Sequence, residues 1–186
     1  LLGKALVTLE NKGFPNNKVE DYKYCNVEAI LKKEFQNIEQ KFSTELVKNS
    51  FSNKGNITLV LLNGVFSPEH SDAFEKEEIL VSAFSKLDAK RASYIAQLAP
   101  VKQDAFVALN TAFSSDGLFV EIPKNTILKK PICILNVVNA SSEVFLNTRH
   151  FIHLQEGAKA QVILETKQLG EHKVFINSVS ERQLEK

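Results

Sequence analysis

Methionine and tryptophan are absent from the 186 residues, cysteine occurs twice, and neither sign of charge dominates, with 23 Lys and Arg against 22 Asp and Glu. Each shortage excludes something. Cys25 and Cys133 stand far apart in the chain and cannot supply the disulfide framework of a small secreted domain. A net charge of +1 offers no basic face from which counterion release could drive nucleic-acid binding. No run of about 18 apolar residues occurs, so no membrane-spanning helix is expected. Residues 1–9 place Lys4 among apolar positions without an unbroken apolar stretch or a cleavage site, and do not read as a secretory leader. A cytoplasmic protein is expected. With no Met and a start at Leu1, the chain is expected to be trimmed at its front, and its charged end over 180–186 reads as open to the same trimming.

Chemical signatures are equally scarce. There is no Gly-x4-Gly-Lys-Ser/Thr loop to cradle nucleotide phosphates, no Gly-x-Gly-x-x-Gly after a strand, and no Gly-x-Ser-x-Gly elbow to present a nucleophile. Neither cysteine belongs to a Cys-x-x-Cys pair, so no zinc or iron–sulphur site begins by local spacing.

What is present divides into two textures. Apolar residues make up 44%, enough for a core. The first hundred residues read mostly as helix. Leu1, Leu2, Ala5, Leu6 and Leu9 recur at helical spacing, with Gly13 and Pro15 as stop signals. A second helix is expected from Asn26, with Val27, Ile30, Leu31 and Phe35 on one face and Ile38 and Phe42 extending the stripe. The polar cluster 51–56 reads as a boundary. Asn63-Gly64 between apolar runs predicts a β-hairpin with a type I′ turn. A helix is expected through Ala92, Ile95, Ala96 and Ala99 as far as Pro100, and another through Phe106, Leu109, Asn110 and Phe113.

After Gly117 short β-type runs take over: 118–122, 132–138, 151–154, 160–164 and 174–179. The stretches 120–128 and 152–160 match in pattern at an offset of 32 residues, with Asn125 aligned on Gly157. Both residue types tolerate the left-handed conformation, so a shared tight corner is expected. Repeated strand–corner–strand units point to a β-solenoid, with an antiparallel sandwich as the other solution. The expected class is α+β: a mostly helical region with a small hairpin over 1–114, then the first rungs of the solenoid over 115–186.

Candidate residues are few. Cys133, inside an apolar run, reads as a core residue, and Cys25 sits near a helix start whose dipole could activate its thiol. His150 and His153 fall on opposite faces of a strand and should not converge on a metal. His70 and His172 read as surface residues. Among carboxylates, Asp116 falls in a turn, Glu156 in a corner and Glu121 on the polar face of its strand. Glu121 and His153 hold analogous positions and should share an outer, solvated face. The charged stretches 74–78 and 88–91 read as plain surface. No catalytic, cofactor-binding or metal-binding residue is expected.

Two stretches carry a family resemblance. The first is Gly13-Phe14-Pro15 followed by Val19, Glu20, Asp21, Tyr22, Lys23 and Tyr24. The second runs from Asp104 to Phe113, then Asp116-Gly117 to Pro123, and Lys130-Pro131-Ile132. In order and spacing they resemble the SufD side of the SufB/SufD family of iron–sulphur cluster assembly proteins. The segment 154–160 is similar to that family's next corner. Tyr22 stands where the family usually carries Trp, and Cys25 where it carries Thr. A Thr there would cap the next helix with Glu28, a role that Asn26 can take one residue later. The resemblance implies a helical N-terminal region, a right-handed parallel β-helix and a C-terminal helical region, of which this chain is expected to hold the first part. It implies a non-catalytic scaffold, working with SufB-like and SufC-like subunits on iron or an iron–sulphur cluster handled by the whole complex. Those roles attach to later regions, and Cys25, Cys133, His150 and His153 match no family motif, so no functional residue is carried over. A β-helix enzyme acting on polysaccharide and a stand-alone interaction module are the other readings. A solenoid end around 174–179 is also expected to support self-association.

Overall fold

Asn63 and Gly64 both take positive φ, 47° and 84°, as a two-residue type I′ turn requires. They join β1 (Ile57–Leu62) to β2 (Val65–Phe66) as the expected antiparallel hairpin. The structure is a computed structural model that describes residues 2–14, 20–24, 27–35, 42, 45, 47, 55–74 and 78–186. Cys25, Asn26 and Ile38, and most of the 51–56 cluster, lie outside the described residues.

Among the described residues, helix is scarcer than the periodicity predicts. Helix α1 (Leu2–Lys12) ends as expected at Gly13, whose φ is 68° and whose N–H donates to the Leu9 carbonyl at 2.8 Å. Helix α2 (Val27–Leu31) is a short piece; Phe35 lies beyond it, its ring 5.6 Å from that of Phe145. The helix expected as far as Pro100 is a single turn, α3 (Ala89–Ala92), capped by Asp88 and followed by turns. The physical reason is competition for backbone donors. The N–H groups of Ala96, Leu98 and Ala99 donate to the Glu181 carboxylate at 3.0, 3.1 and 3.2 Å, and Ala96 takes a φ of 65°. Helix α4 (Ala105–Phe113) forms as expected, its first N–H groups accepted by Asp104. Ala5 of α1 packs with Val101 and with Ala108 of α4.

The remaining strands are β3 (Leu80–Ala83), β4 (Leu118–Ile122), β5 (Ile132–Asn139), β6 (Val144–Leu154), β7 (Val162–Leu169) and β8 (Val174–Leu184). They form two mixed sheets, β2-β1-β5-β7 and β3-β4-β6-β8. The pairs β1/β2 and β3/β4 are antiparallel; every other neighbour pair is parallel. From β4 onward the chain alternates between the sheets. Both sheets straddle residue 115, because β1 pairs with β5 and β3 with β4. Strand β3 carried no sequence signal, and β6, β7 and β8 run longer than their expected apolar runs.

The matched segments are register partners. Val120 lies opposite Ile152, 127 is bridged to 159, and Asn125 and Gly157 both occupy the left-handed region, at φ 61° and 70°. The stack is tight: a Cβ on Gly157 would lie 2.5 Å from Asn125 Oδ1. Between the sheets sits an apolar cluster that includes Leu59, Leu61, Leu118, Val120, Ile132 and Ile134. Strand β5 is buried along nearly its whole length, and β7 is largely exposed. Continuous burial needs both faces covered. Val47 and Phe42 lie against the outer face of β5, and residues 84–113 lie over the outer face of β4, β6 and β8. Among the described residues no helix is long and apolar enough to cross a membrane.

Candidate functional site

Side chains alternate along a strand, so the outer face of this second sheet presents Phe119 and Glu121 from β4, Arg149, Phe151 and His153 from β6, and Glu181 from β8. All are buried. Glu121 and His153 do share an outer face, yet that face is not solvated. Residues 84–113 cover it, and the covering segment brings its own charges. Arg91 is not plain surface either. Its Nη2 donates to Glu121 at 2.6 Å and its Nη1 to Asp88 at 2.5 Å.

Two linked clusters result. In the first, the His153 ring lies between two carboxylates, Nδ1 at 3.1 Å from Glu121 and Nε2 at 2.8 Å from Glu185, with the Tyr94 ring 5.2 Å away. Burial alone would raise the Glu121 carboxyl; the hydrogen bonds from Arg91 and His153 outweigh it and hold the group below the usual range. In the second cluster, Arg149 donates to Glu181 through Nε and Nη2 at 3.1 and 2.8 Å, and both side chains are essentially inaccessible. Arg149 Nη1 reaches Thr111 Oγ1 at 2.5 Å. Asn110 of α4 donates to the Thr148 and Asn177 carbonyls at 2.8 and 2.9 Å, tying the helix to two strands. Phe151 stacks between Phe119, 5.5 Å away, and Tyr94, 6.0 Å away.

His150 takes the opposite face from His153, as the spacing predicts. It points between the sheets into a cavity of about 80 Å³ lined also by Asn136, Thr148, Thr166 and Ser178. His150 Nδ1 and Ser180 Oγ are buried with no hydrogen-bond partner among the described residues. Burial, with a smaller contribution from the charge of Arg182, pushes the imidazole down to about 4. An unfolded chain binds this proton near pH 6.5 and the folded chain refuses it until pH 4. The stability His150 contributes is therefore present above about pH 6.5 and lost as pH falls through the folded value, by about 3 kcal/mol. Urea unfolding between pH 7 and 4 is expected to show this loss in the native protein and not in His150→Gln. Parallel profiles would mean that the buried ring titrates as a free one.

The other candidates do not converge. Cys133 is buried on the outer face of β5, its thiol pushed up to about 11 by burial and by Glu165. Asp116 accepts from Ser85 N and Oγ at 3.1 and 2.7 Å, and Glu156 pairs with Lys124 at 2.6 Å on the surface. Asp116, Glu121 and Glu156 are thus each engaged by a different partner, Ser85, Arg91 with His153, and Lys124. His172 is exposed as expected. His70 is not: its side chain is 11% accessible, with Nδ1 2.8 Å from Ser67 Oγ, because the turn after β2 folds it back. Sequence reasoning missed Arg91, Tyr94, Arg149 and Glu181. A signal existed for one pair, since Arg149 and Glu181 are separated by the same 32 residues as Glu121 and His153.

Comparison with known proteins adds two findings. Residues 3–134 match the family model described as the SufBD protein N-terminal region. The iron–sulphur cluster assembly protein SufD of Escherichia coli strain K12 is 25% identical over 175 residues. That alignment covers 92% of this chain and 38% of the relative, so the chain spans well under half of that protein's length.

Proposed function

The chain belongs to the SufBD protein family, and from that premise we propose that it serves iron–sulphur cluster assembly as a non-catalytic scaffold. The observation that carries this reading is the extent of the likeness. Alignment to a protein named for cluster assembly runs through the helical part, the hairpin and the paired strands alike. The use made of the buried charges supports it. Arg91, Glu121, Arg149 and Glu181 spend their hydrogen bonds fastening residues 84–113 to the sheet, which suits a rigid platform better than a reaction centre.

The same reading makes the strands the opening coils of a right-handed parallel β-helix. Its supports are the alternation between sheets, parallel partners 30 to 32 residues apart from β4 onward, the stacked corners at Asn125 and Gly157, and the right-handed preference of parallel crossovers. The partners are SufB-like and SufC-like subunits, and the compartment is the cytoplasm. Self-association through the outer edge of β8 belongs to the same reading, since no described strand pairs with that edge.

The test is affinity purification of the native protein, tagged in its own cells, under mild conditions. SufB-like and SufC-like subunits are expected to co-purify in fixed proportion and to be lost together in salt or detergent. Recovery of the protein free of both, in cells that express both, would overturn the scaffold reading.

A further inference from the structure

Residues 89–99 carry the sequence of a helix and stop short of forming one. Asp88 caps the first turn and Pro100 lies just beyond the end. No Gly or Pro interrupts the stretch, and eight of its eleven residues are Ala, Lys, Arg, Gln or Leu, the strong helix formers. The observed chain stays close to that helix. The N–H groups of Tyr94, Ile95 and Gln97 donate to carbonyls three residues back at 3.1, 3.3 and 3.3 Å, as in a tight helical turn. The departure is confined to Ala96, Leu98 and Ala99, whose N–H groups donate to Glu181 instead. Ala96 sits in the left-handed region, at φ 65°, a conformation that strains any residue with a Cβ. Leu98 is 51% exposed. A continuous helix would bring Leu98 onto one face with Arg91, Tyr94 and Ile95, at spacings of three, four and seven. Arg91 and Tyr94 already meet the sheet.

We propose that residues 89–99 are a two-state element: a helix as far as Ala99 when Glu181 is absent, and the observed turns once β8 brings its carboxylate to Ala96, Leu98 and Ala99. One side chain sets the balance. In the observed state three donors share a charged acceptor, stronger than a neutral carbonyl, and Arg149 Nε and Nη2 hold that acceptor in place. In the helical state the same donors return to the carbonyls of Ala92, Tyr94 and Ile95, four residues back, and Ala96 is relieved of its strain. Asp88 and the first turn are common to both states, so the change runs through residues 93–99 alone. Strand β8 is an edge strand that pairs with β6. The covering segment therefore registers whether β8 is in place: it is helical before that strand docks and is converted to turns as Glu181 arrives.

The experiment reads backbone ¹³Cα chemical shifts over 88–100 in the native protein, in Glu181→Gln, which keeps the side-chain volume, and in Arg149→Met combined with Glu181→Leu. The shifts of 93–99 are expected to move toward helical values, most in the double variant and less in Glu181→Gln. A helix of three turns is marginal in water, so these amides should still exchange quickly. Adding Ala96→Gly places a poor helix former in the middle of the segment and should remove most of the helical shift. Shifts over 93–99 that stay native or move to random-coil values once Glu181 is replaced would overturn the proposal. So would a helical shift that Ala96→Gly leaves unchanged.

Discussion

Replacing Glu181 by alanine is expected to destabilise the protein by about 3–5 kcal/mol. The magnitude follows from what the substitution leaves behind. Arg149 is 2% accessible, and without its carboxylate it remains as a buried, uncompensated charge. The N–H groups of Ala96, Leu98 and Ala99 lose their acceptor in the same step. Glu181→Gln keeps the volume and part of the hydrogen bonding, so it should lose less. Arg149→Met combined with Glu181→Leu removes both charges and should recover much of the loss, since a well-packed apolar pair often matches a buried ion pair. The amides of 96–99 should still lose protection in the double variant, because their acceptor is gone. Urea unfolding gives the stabilities, and hydrogen exchange resolved over 94–99 reports on the segment. A loss below about 1 kcal/mol with those amides still protected would show that other contacts hold the segment in place.

The elements legible in the sequence are those whose cause is local. Asn63-Gly64 carries its own backbone preference, Asp104 caps α4 from the preceding position, and Asn125 and Gly157 mark corners because few residues tolerate that conformation. Strand parity placed His150 and His153 on opposite faces, and the 32-residue offset placed Glu121 beside His153. What stayed hidden depends on a second segment. Helical spacing at Ala92, Ile95, Ala96 and Ala99 is real, but the Glu181 carboxylate, distant in sequence, takes the N–H groups a helix would have used. Polar side chains on a strand ordinarily mark a solvated face. Here Glu121, Arg149 and His153 mark a face covered by residues 84–113, and composition cannot announce a cover. Strand β3 was invisible for a related reason: it is an edge strand defined by pairing with β4, and it has no fully buried residue of its own.

Phe151→Ala is expected to cost about 3–5 kcal/mol, and its effect should not add to that of Glu181→Ala. Phe151 is fully buried and holds a column together, with Phe119 on one side and Tyr94 of the covering segment on the other. Truncation leaves a ring-sized void that rigid strands on both sides cannot close, and it removes the aromatic contact that seats Tyr94. Phe151 and Glu181 are register partners on adjacent strands, and each grips the covering segment at neighbouring points. Once either grip is lost, the segment that makes the other worthwhile is already loosened, so the double variant should lose clearly less than the sum of the singles. Phe151→Leu, which retains apolar bulk, should fall between native and alanine. The measurement is a double-mutant cycle from urea unfolding, with hydrogen exchange over 88–99 in each variant. Strict additivity, with 88–99 protected in both single variants, would mean that the ring and the carboxylate stabilise the sheet separately and that the segment is fastened elsewhere, through Asn110 and Arg91.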